Sequence, residues 1–143
     1  MREEVLKSVP EADALIMTAA VADYRPAAPL ESKIKREAST MRLELTSNPD
    51  ILAEVKGDLL KIGFAAESEN LIENARKKLV GKHLDLIVAN DITAPGSGFD
   101  AETNKVTLID CDGNIEELPL LPKLEAAHKI LDKVVQLLSR GRR

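Results

Sequence analysis

Three polar segments in this sequence each follow a dry apolar run: Ala19 to Arg25, Ala65 to Ser68, and Asn90-Asp91. In open parallel sheets, ligands bind beyond the carboxyl ends of the strands, and three segments of this kind in one chain mark where chemistry could gather. Strand ends must also meet water, so each segment alone means little. Lys33-Ile34-Lys35-Arg36 is a basic cluster in a loop that also holds Pro26 and Pro29. A solvated charge run explains such a cluster by itself. As a flap over phosphates, it would bring an ammonium to the charge that builds on a transferring phosphoryl group. Lys78 and Lys82 stand four apart near the end of a helical stretch. They either complement the helix dipole or make a second cationic contact with a nucleotide. Asp23 and Asp91 could hold a metal or a ribose, or merely end strands, and the residues leave both readings open.

Other chemistries lack their residues. No G-x-G-x-x-G or G-x-x-x-x-G-K-[ST] occurs; Gly96-Ser97-Gly98 is a weak substitute. His83 and His128 lack metal-ligand spacing. Ser47, Ser68 and Ser97 have no nucleophile-elbow context, which argues against a serine hydrolase. The single cysteine, Cys111, permits no internal disulfide and no multi-cysteine zinc site. Acidic residues outnumber basic ones 24 to 20, for a net charge of −4, whereas a duplex nucleic-acid binder would be basic. Aromatics are 2% and tryptophan is absent, which leaves no stacking platform for single strands. No apolar run nears the roughly 18 residues of a membrane span. The N-terminus MREEVLKSV has no signal-peptide apolar region. The expected compartment is the cytoplasm, with no nucleic-acid or membrane partner.

The elements that must position these residues follow from patterning. A hydrophobic content of 44% in 143 residues predicts a buried core and one domain over residues 1–143. Arg2 to Val9 reads as a short helix ended by Pro10. Ala14 to Thr18 reads as a strand buried on both faces. Met41 to Leu45 alternates and reads as a half-exposed strand. Asn48 can cap a helix with Pro49 at its first position, running to about Lys56 before Gly57. Leu60 to Phe64 is a second buried strand. Ser68 caps a helix over about 69–80, with Leu71, Ile72, Ala75 and Leu79 on one face and Gly81 at its end. Leu84 to Ala89 is a third strand. The fold class is therefore α/β, a mostly parallel sheet with crossover helices. Val106 to Ile109 and Ile115 to Leu118 flank an Asp-Gly hairpin signal. Pro122 opens a final amphipathic helix to about Ser139, with Leu124, Ala127, Ile130, Leu131, Val134, Val135 and Leu138 as its apolar face. Three parallel strands make a thin core, which points to a sheet finished by a partner or to a chain that starts partway through a larger domain.

Together these segments resemble a family. Ala19-Ala20-Val21-Ala22-Asp23-Tyr24-Arg25-Pro26, Lys33-Ile34-Lys35, Asn48-Pro49-Asp50-Ile51-Leu52, Gly63-Phe64-Ala65-Ala66-Glu67, and Lys78 and Lys82 before Asp85-Leu86-Ile87-Val88-Ala89-Asn90-Asp91 are similar to the bacterial phosphopantothenate–cysteine ligase. Gly98-Phe99 and Asn104-Lys105-Val106 also fit, so the likeness covers about 14–138. It implies a doubly wound Rossmann-like fold, a homodimer, and a CTP-dependent ligation of cysteine to 4′-phosphopantothenate through an acyl-cytidylate, with Mg2+ accompanying the triphosphate. It places Met17, Thr18, Ala19, Asp23, Lys33, Pro49, Asp50, Ile51, Leu52, Phe64, Lys78 and Lys82 on the CTP. The backbone at Ala20 would contact the acyl phosphate, and Lys33 would be the catalytic flap lysine. The Lys-x-Lys flap resembles the CTP-using branch more than the ATP-using one. The family domain opens with a strand, a Gly-rich turn and an Asn that supports the intermediate; Met1 aligns with an internal stretch. The expectation is thus the C-terminal part of a ligase domain, deficient in catalysis by itself, with a flavin-dependent decarboxylase domain upstream in the bifunctional protein. A non-catalytic nucleotide-binding or dimerising fragment, or an unrelated Rossmann-like module, is the alternative.

Overall fold

The computed structural model describes residues 1–28, 40–98 and 100–141. They form two compact units, one made of Met1–Thr18 with Ile51–Arg143 and the other of Ala19–Asp50. Lys33, Lys35 and Phe99 lie outside the described residues.

The first unit is built on a five-stranded sheet in the order β1-β4-β5-β7-β8. Strands β1 (Ala14–Met17), β4 (Leu60–Glu67) and β5 (Leu86–Asp91) are parallel. Strand β7 (Val106–Asp110) runs antiparallel to β5, and β8 (Ile115–Glu117) antiparallel to β7 through the expected hairpin, where Gly113 takes φ +88°. The sheet is thus mixed and mostly parallel, and wider than its three parallel strands alone. The hairpin thickens it.

Each face of the sheet buries an apolar layer. On one, Leu60, Ile62, Leu86, Val88, Val106 and Leu108 pack against Ile130, Val134 and Leu137 of α4 (Lys123–Ser139). On the other, Ala65, Ile87, Ala89 and Ile109 meet Leu52, Leu84, and Ala75 and Leu79 of α3 (Leu71–Gly81). Full burial of one such aliphatic side chain stabilises by roughly 1.5–3 kcal/mol. Gly63 matters here because Leu84 packs over it: a Cβ would sit 2.7 Å from Leu84 Cδ1. A third cluster joins Val9, Val55 and Leu59 beneath α1 (Arg2–Ser8) and the 3-10 turn Val9–Glu11 that contains Pro10.

Several expectations need correction. Strand β1 is not buried on both faces: it is the edge strand, half-buried along most of its length, and Ile16 is exposed. Its apolar composition reads as interior because composition does not reveal which neighbour is missing. Strands β4 and β5 each run farther toward the polar segments, to Glu67 and Asp91, since pairing between them continues to that register. Helix α2 is one turn, Ile51–Glu54, not a run to Lys56. Helix α3 starts at Leu71 with Asn70 as its N-cap residue in the left-handed region, so Ser68 does not cap it. Gly81 is the last helical residue, and His83 rather than glycine takes positive φ, at +51°. Ile72 is exposed, while α4 buries Ala126 and Leu137 and exposes Leu124, Leu131, Val135 and Leu138. The buried stripe is therefore rotated from the predicted face.

The second unit contains β2 (Tyr24–Pro26) paired antiparallel with β3 (Leu45–Ser47). The predicted strand over Met41 to Leu45 is displaced: only Leu45 belongs to a strand, and Met41 and Leu43 are exposed. No described residue of this unit is buried.

Candidate functional site

In the sheet unit, a cleft of about 270 Å3 lies beside the end of β1 and the start of α4. Its lining includes Thr18, Phe64, Asn104, Lys123, Ile130 and Leu131. The structure thus brings two of the expected nucleotide residues, Thr18 and Phe64, to one cavity. Asn104 is held by the two-stranded pairing of β6 (Thr103–Asn104) with β9 (Leu121–Pro122), where it opposes Leu121. The turn before β6 is pinned as well. Ser97 Oγ donates to Asn90 Oδ1 at 3.1 Å and accepts the Lys105 amide at 3.2 Å, and the Thr103 hydroxyl donates to the Gly96 carbonyl. Gly96-Ser97-Gly98 therefore works as a brace between the end of β5 and the start of β7.

Met17 and Leu52 join the same buried apolar cluster, and Ile51 is buried too. Their side chains are packing groups, so a ligand would meet them through backbone. Lys78 projects from α3 and places its Nζ 2.7 Å from Glu67 Oε1 at the end of β4. Asn74 Nδ2 donates to the other carboxylate oxygen of Glu67 at 3.2 Å. Glu67 is a group that the sequence did not single out: eleven residues and a strand-to-helix turn separate it from Lys78, and no helical spacing signals the pair. Lys82 follows α3 as its C-cap residue, where its amide donates to the Lys78 carbonyl and its own carbonyl accepts Lys61 Nζ at 3.2 Å.

Asp91 is tied into the turn that follows β5. Its Oδ1 accepts the Thr93 hydroxyl at 2.7 Å, the Thr93 amide at 2.9 Å and the Ala94 amide at 3.1 Å. These hydrogen bonds hold its carboxyl below the usual carboxylate range. Asp91 closes the turn after β5. Among the described residues, no three histidine, cysteine, aspartate or glutamate side chains gather as a metal site.

In the second unit, Asp23 lies just before β2, and its carbonyl accepts the Asn48 amide at 2.7 Å. Asn48 does not cap a helix: its Nδ2 donates to the Ala22 carbonyl at 2.6 Å and its Oδ1 accepts Arg25 Nη1 at 2.9 Å. Arg25 also reaches the Ser47 carbonyl, at 2.9 Å. Ala19, Ala20, Pro49 and Asp50 are exposed and lie outside regular elements.

Comparison with known proteins supplies the frame for these positions. The family of the DNA/pantothenate metabolism flavoprotein C-terminal domain matches residues 1–138. The chain is similar to the coenzyme A biosynthesis bifunctional protein CoaBC of Bacillus subtilis (strain 168), at 45% identity over 140 residues, covering 96% of this chain and 34% of that protein. The CoaBC protein of Escherichia coli (strain K12) is 40% identical over 144 residues, covering 94% and 35%. The solved structure of the C-terminal domain of a CoaBC protein superposes with a TM-score of 0.77 at 38% identity, covering 98% of this chain and 62% of that one. The DNA/pantothenate metabolism flavoprotein of Streptococcus pneumoniae gives 0.68 at 25% identity, covering 96% and 68%. The chain thus spans about a third of the length of these curated relatives. No described helix is long and apolar enough to cross a membrane. On sequence and on fold alike, the chain belongs to the DNA/pantothenate metabolism flavoprotein C-terminal domain family.

Proposed function

We propose that the chain carries the phosphopantothenate–cysteine ligase function of coenzyme A biosynthesis, with CTP as the activating nucleotide. The observation that carries this reading is the family match over residues 1–138, within which Thr18 and Phe64 line one cleft. In the first step, a carboxylate oxygen of 4′-phosphopantothenate attacks the α-phosphorus of CTP. The bond from that phosphorus to the bridging oxygen breaks, and pyrophosphate leaves with the electron pair. In the second, the cysteine amine attacks the acyl carbon, the acyl–oxygen bond breaks, CMP leaves, and the amine nitrogen gives up a proton. A carboxylate is a poor electrophile until its oxygen is part of a good leaving group, and the protein's contribution is positioning and electrostatics.

Lys33 supplies charge where pyrophosphate leaves, with the backbone at Ala20 beside the acyl phosphate. Ala19, Asp23, Pro49 and Asp50 contribute to the nucleotide from their own unit. Lys78 and Lys82 contribute cations, Lys78 with its ammonium steadied by Glu67. When bound, Mg2+ would offset triphosphate charge, held by the phosphates with one or two carboxylates. A homodimer and a flavin-dependent decarboxylase domain elsewhere in the bifunctional protein complete the assembly.

Calorimetry with CTP and ATP, together with release of CMP and pyrophosphate by the full-length bifunctional protein in the presence of 4′-phosphopantothenate and cysteine, tests the assignment. CTP should bind more tightly than ATP. Equal or tighter binding of ATP would sink the CTP assignment.

A further inference from the structure

Glu67 is the last residue of β4 and is almost buried, at 9% exposure. A carboxylate so placed needs partners for both oxygens, because an unpaired buried charge is costly. One oxygen takes the Lys78 ammonium at 2.7 Å and the other takes the Asn74 carboxamide at 3.2 Å. Asn74 and Lys78 stand four apart on α3 and so share one face of it. Side chains on a helix lean toward its N-terminus, which points both groups back toward the end of β4. The backbone under Glu67 is fixed as well: its carbonyl accepts the Ile92 amide at 3.2 Å, and it stands in register with Asp91 of β5. Asn74 Nδ2 also donates to the Glu69 carbonyl at 3.0 Å, which anchors the carboxamide. Lys78 is the opposite kind of group. Its side chain is 46% exposed, and a lysine ammonium rides on a flexible four-carbon stem. Its backbone lies ~10 Å along the helix axis from Leu71. The Glu67 contact holds the charge up at the strand end, where open parallel sheets bind ligands. Joining strand to helix does not require this pair, since Ala75 and Leu79 already pack α3 on the sheet. An ion pair with a nearly buried member is weak evidence for stability, because desolvation offsets the attraction. What the pair adds is a fixed place for a charge.

We infer that Glu67 is a positioning residue, which sets the Lys78 ammonium in place for the phosphate oxygens of the nucleotide before any ligand arrives. The inference rests on the nucleotide reading above and deepens it. An ammonium has three donors. One goes to Glu67, and two are left for phosphate oxygens. Ordering a long side chain on binding weakens affinity, and a side chain already ordered avoids that loss. The carboxylate also offsets part of the ammonium's charge, so the pair does not maximise attraction at long range. Its gain lies in where the charge stands. A glutamine would not replace Glu67 in this role. The carboxylate has one oxygen for Lys78 and another for Asn74, whereas a carboxamide has a single oxygen for the two donors and turns its own N–H groups toward one of them.

The test is pyrophosphate release from CTP by the full-length bifunctional protein, with 4′-phosphopantothenate and cysteine present. The variants are Glu67→Gln, Lys78→Met, the two combined, and Asn74→Ala. Lys78→Met should raise the KM for CTP by about 10-fold to 100-fold, the scale for hydrogen bonds to a charged group. Glu67→Gln should raise it by about threefold to tenfold, the scale for ordering one long side chain on binding. Its kcat should stay within about twofold of wild type, as for loss of an interaction made equally in the ground and transition states. The combined variant should match Lys78→Met within about twofold, because Glu67 acts through the lysine. Asn74→Ala frees the carboxylate from its second anchor and should raise KM by about twofold to threefold; it carries the test if Glu67→Gln fails to fold. A merely structural clamp would lower Tm and leave KM alone, so a wild-type KM in a folded Glu67→Gln overturns the inference, as does a wild-type KM in Asn74→Ala where Glu67→Gln is unfolded. A KM in the combined variant that multiplies the two single effects also overturns it. A wild-type KM in Lys78→Met removes the lysine from the nucleotide and the inference with it, while the CTP reading stands. No release from CTP by the wild type overturns both.

Discussion

The two compact units are held by different physics. The sheet unit rests on side chains that see almost no water: Ile62, Leu86, Val88 and Ile109 are essentially fully buried. The unit over Ala19–Asp50 has no buried described residue; polar hydrogen bonds from Arg25 and Asn48 hold its strand pair together. Yet Ala19, Ala20, Asp23, Lys33, Pro49 and Asp50, six of the thirteen expected site residues, fall in that second unit. Exposed connections commonly carry function while a packed scaffold carries stability. The comparison teaches that damage to the two units should show up in different measurements.

The largest effect should come from the apolar layer. Ile62→Ala deletes a fully buried side chain and should cost about 2–5 kcal/mol in urea unfolding. A loss under 1 kcal/mol would mean that the sheet is not the source of stability.

Lys33→Gln should give the opposite profile. Its charge is needed, in the ligase reading, where pyrophosphate departs. In the full-length bifunctional protein, pyrophosphate release should fall by roughly 10²-fold, the scale for losing one electrostatic stabiliser, with the unfolding free energy changed by under about 0.5 kcal/mol. Normal release would show the lysine to be a solvated surface charge.

The sheet unit also holds a buried charge, and this refines the contrast. Asp110, at the end of β7, is fully buried and accepts the amide and side chain of Asn114, with Lys133 Nζ of α4 at 3.1 Å. Burial raises its pKa, but the Asn114 hydrogen bonds and the Lys133 ammonium outweigh that, so the net shift is downward. A depressed carboxylate pKa contributes stability above the unfolded pKa near 3.8, and that contribution is lost as pH falls through the folded value. Asp110→Asn should therefore cost about 1–3 kcal/mol at pH 7. The gap to wild type should close as pH falls below about 3.8 in acid unfolding curves. A gap independent of pH would remove the charge from the explanation.

The legibility of the sequence divides along the same line. The three parallel strands, the hairpin at Asp112-Gly113 and the last helix were readable because apolar runs and turn residues report burial directly. Strand β1 departs from its pattern because Ala14 to Thr18 is as apolar as an interior strand, and pairing partners are not encoded locally. Asn48 has a side chain that suits a helix cap; its bonds to Ala22 and Arg25 span more than 20 residues and leave no local trace. The expected site residues rest on motifs, through family resemblance. What the motifs omitted is pairwise chemistry: the Glu67–Lys78 contact exists only once strands and helices meet.

The smallest effect concerns the polar seam itself. Asn48 gives one hydrogen bond to the Ala22 carbonyl and takes one from Arg25, while its amide meets the Asp23 carbonyl. Asn48→Ala removes the first two and leaves the third. Each is worth a net ~0.5–1.5 kcal/mol at most, and less where water can replace it. The β2–β3 pair buries no apolar side chain that could make up the difference, so its local opening free energy should fall by about that amount. Global unfolding depends on the buried layers of the other unit and should barely register the change. Native-state hydrogen exchange separates these quantities, because local opening and global unfolding give different protection. Amides of Ala27 and Asn48, which bond across the strand pair, should exchange a few-fold faster in Asn48→Ala, while amides of β4 and β5 keep wild-type rates. If β4 and β5 amides speed up equally, the two units open as one, and the division between a packed scaffold and a polar, function-bearing segment fails.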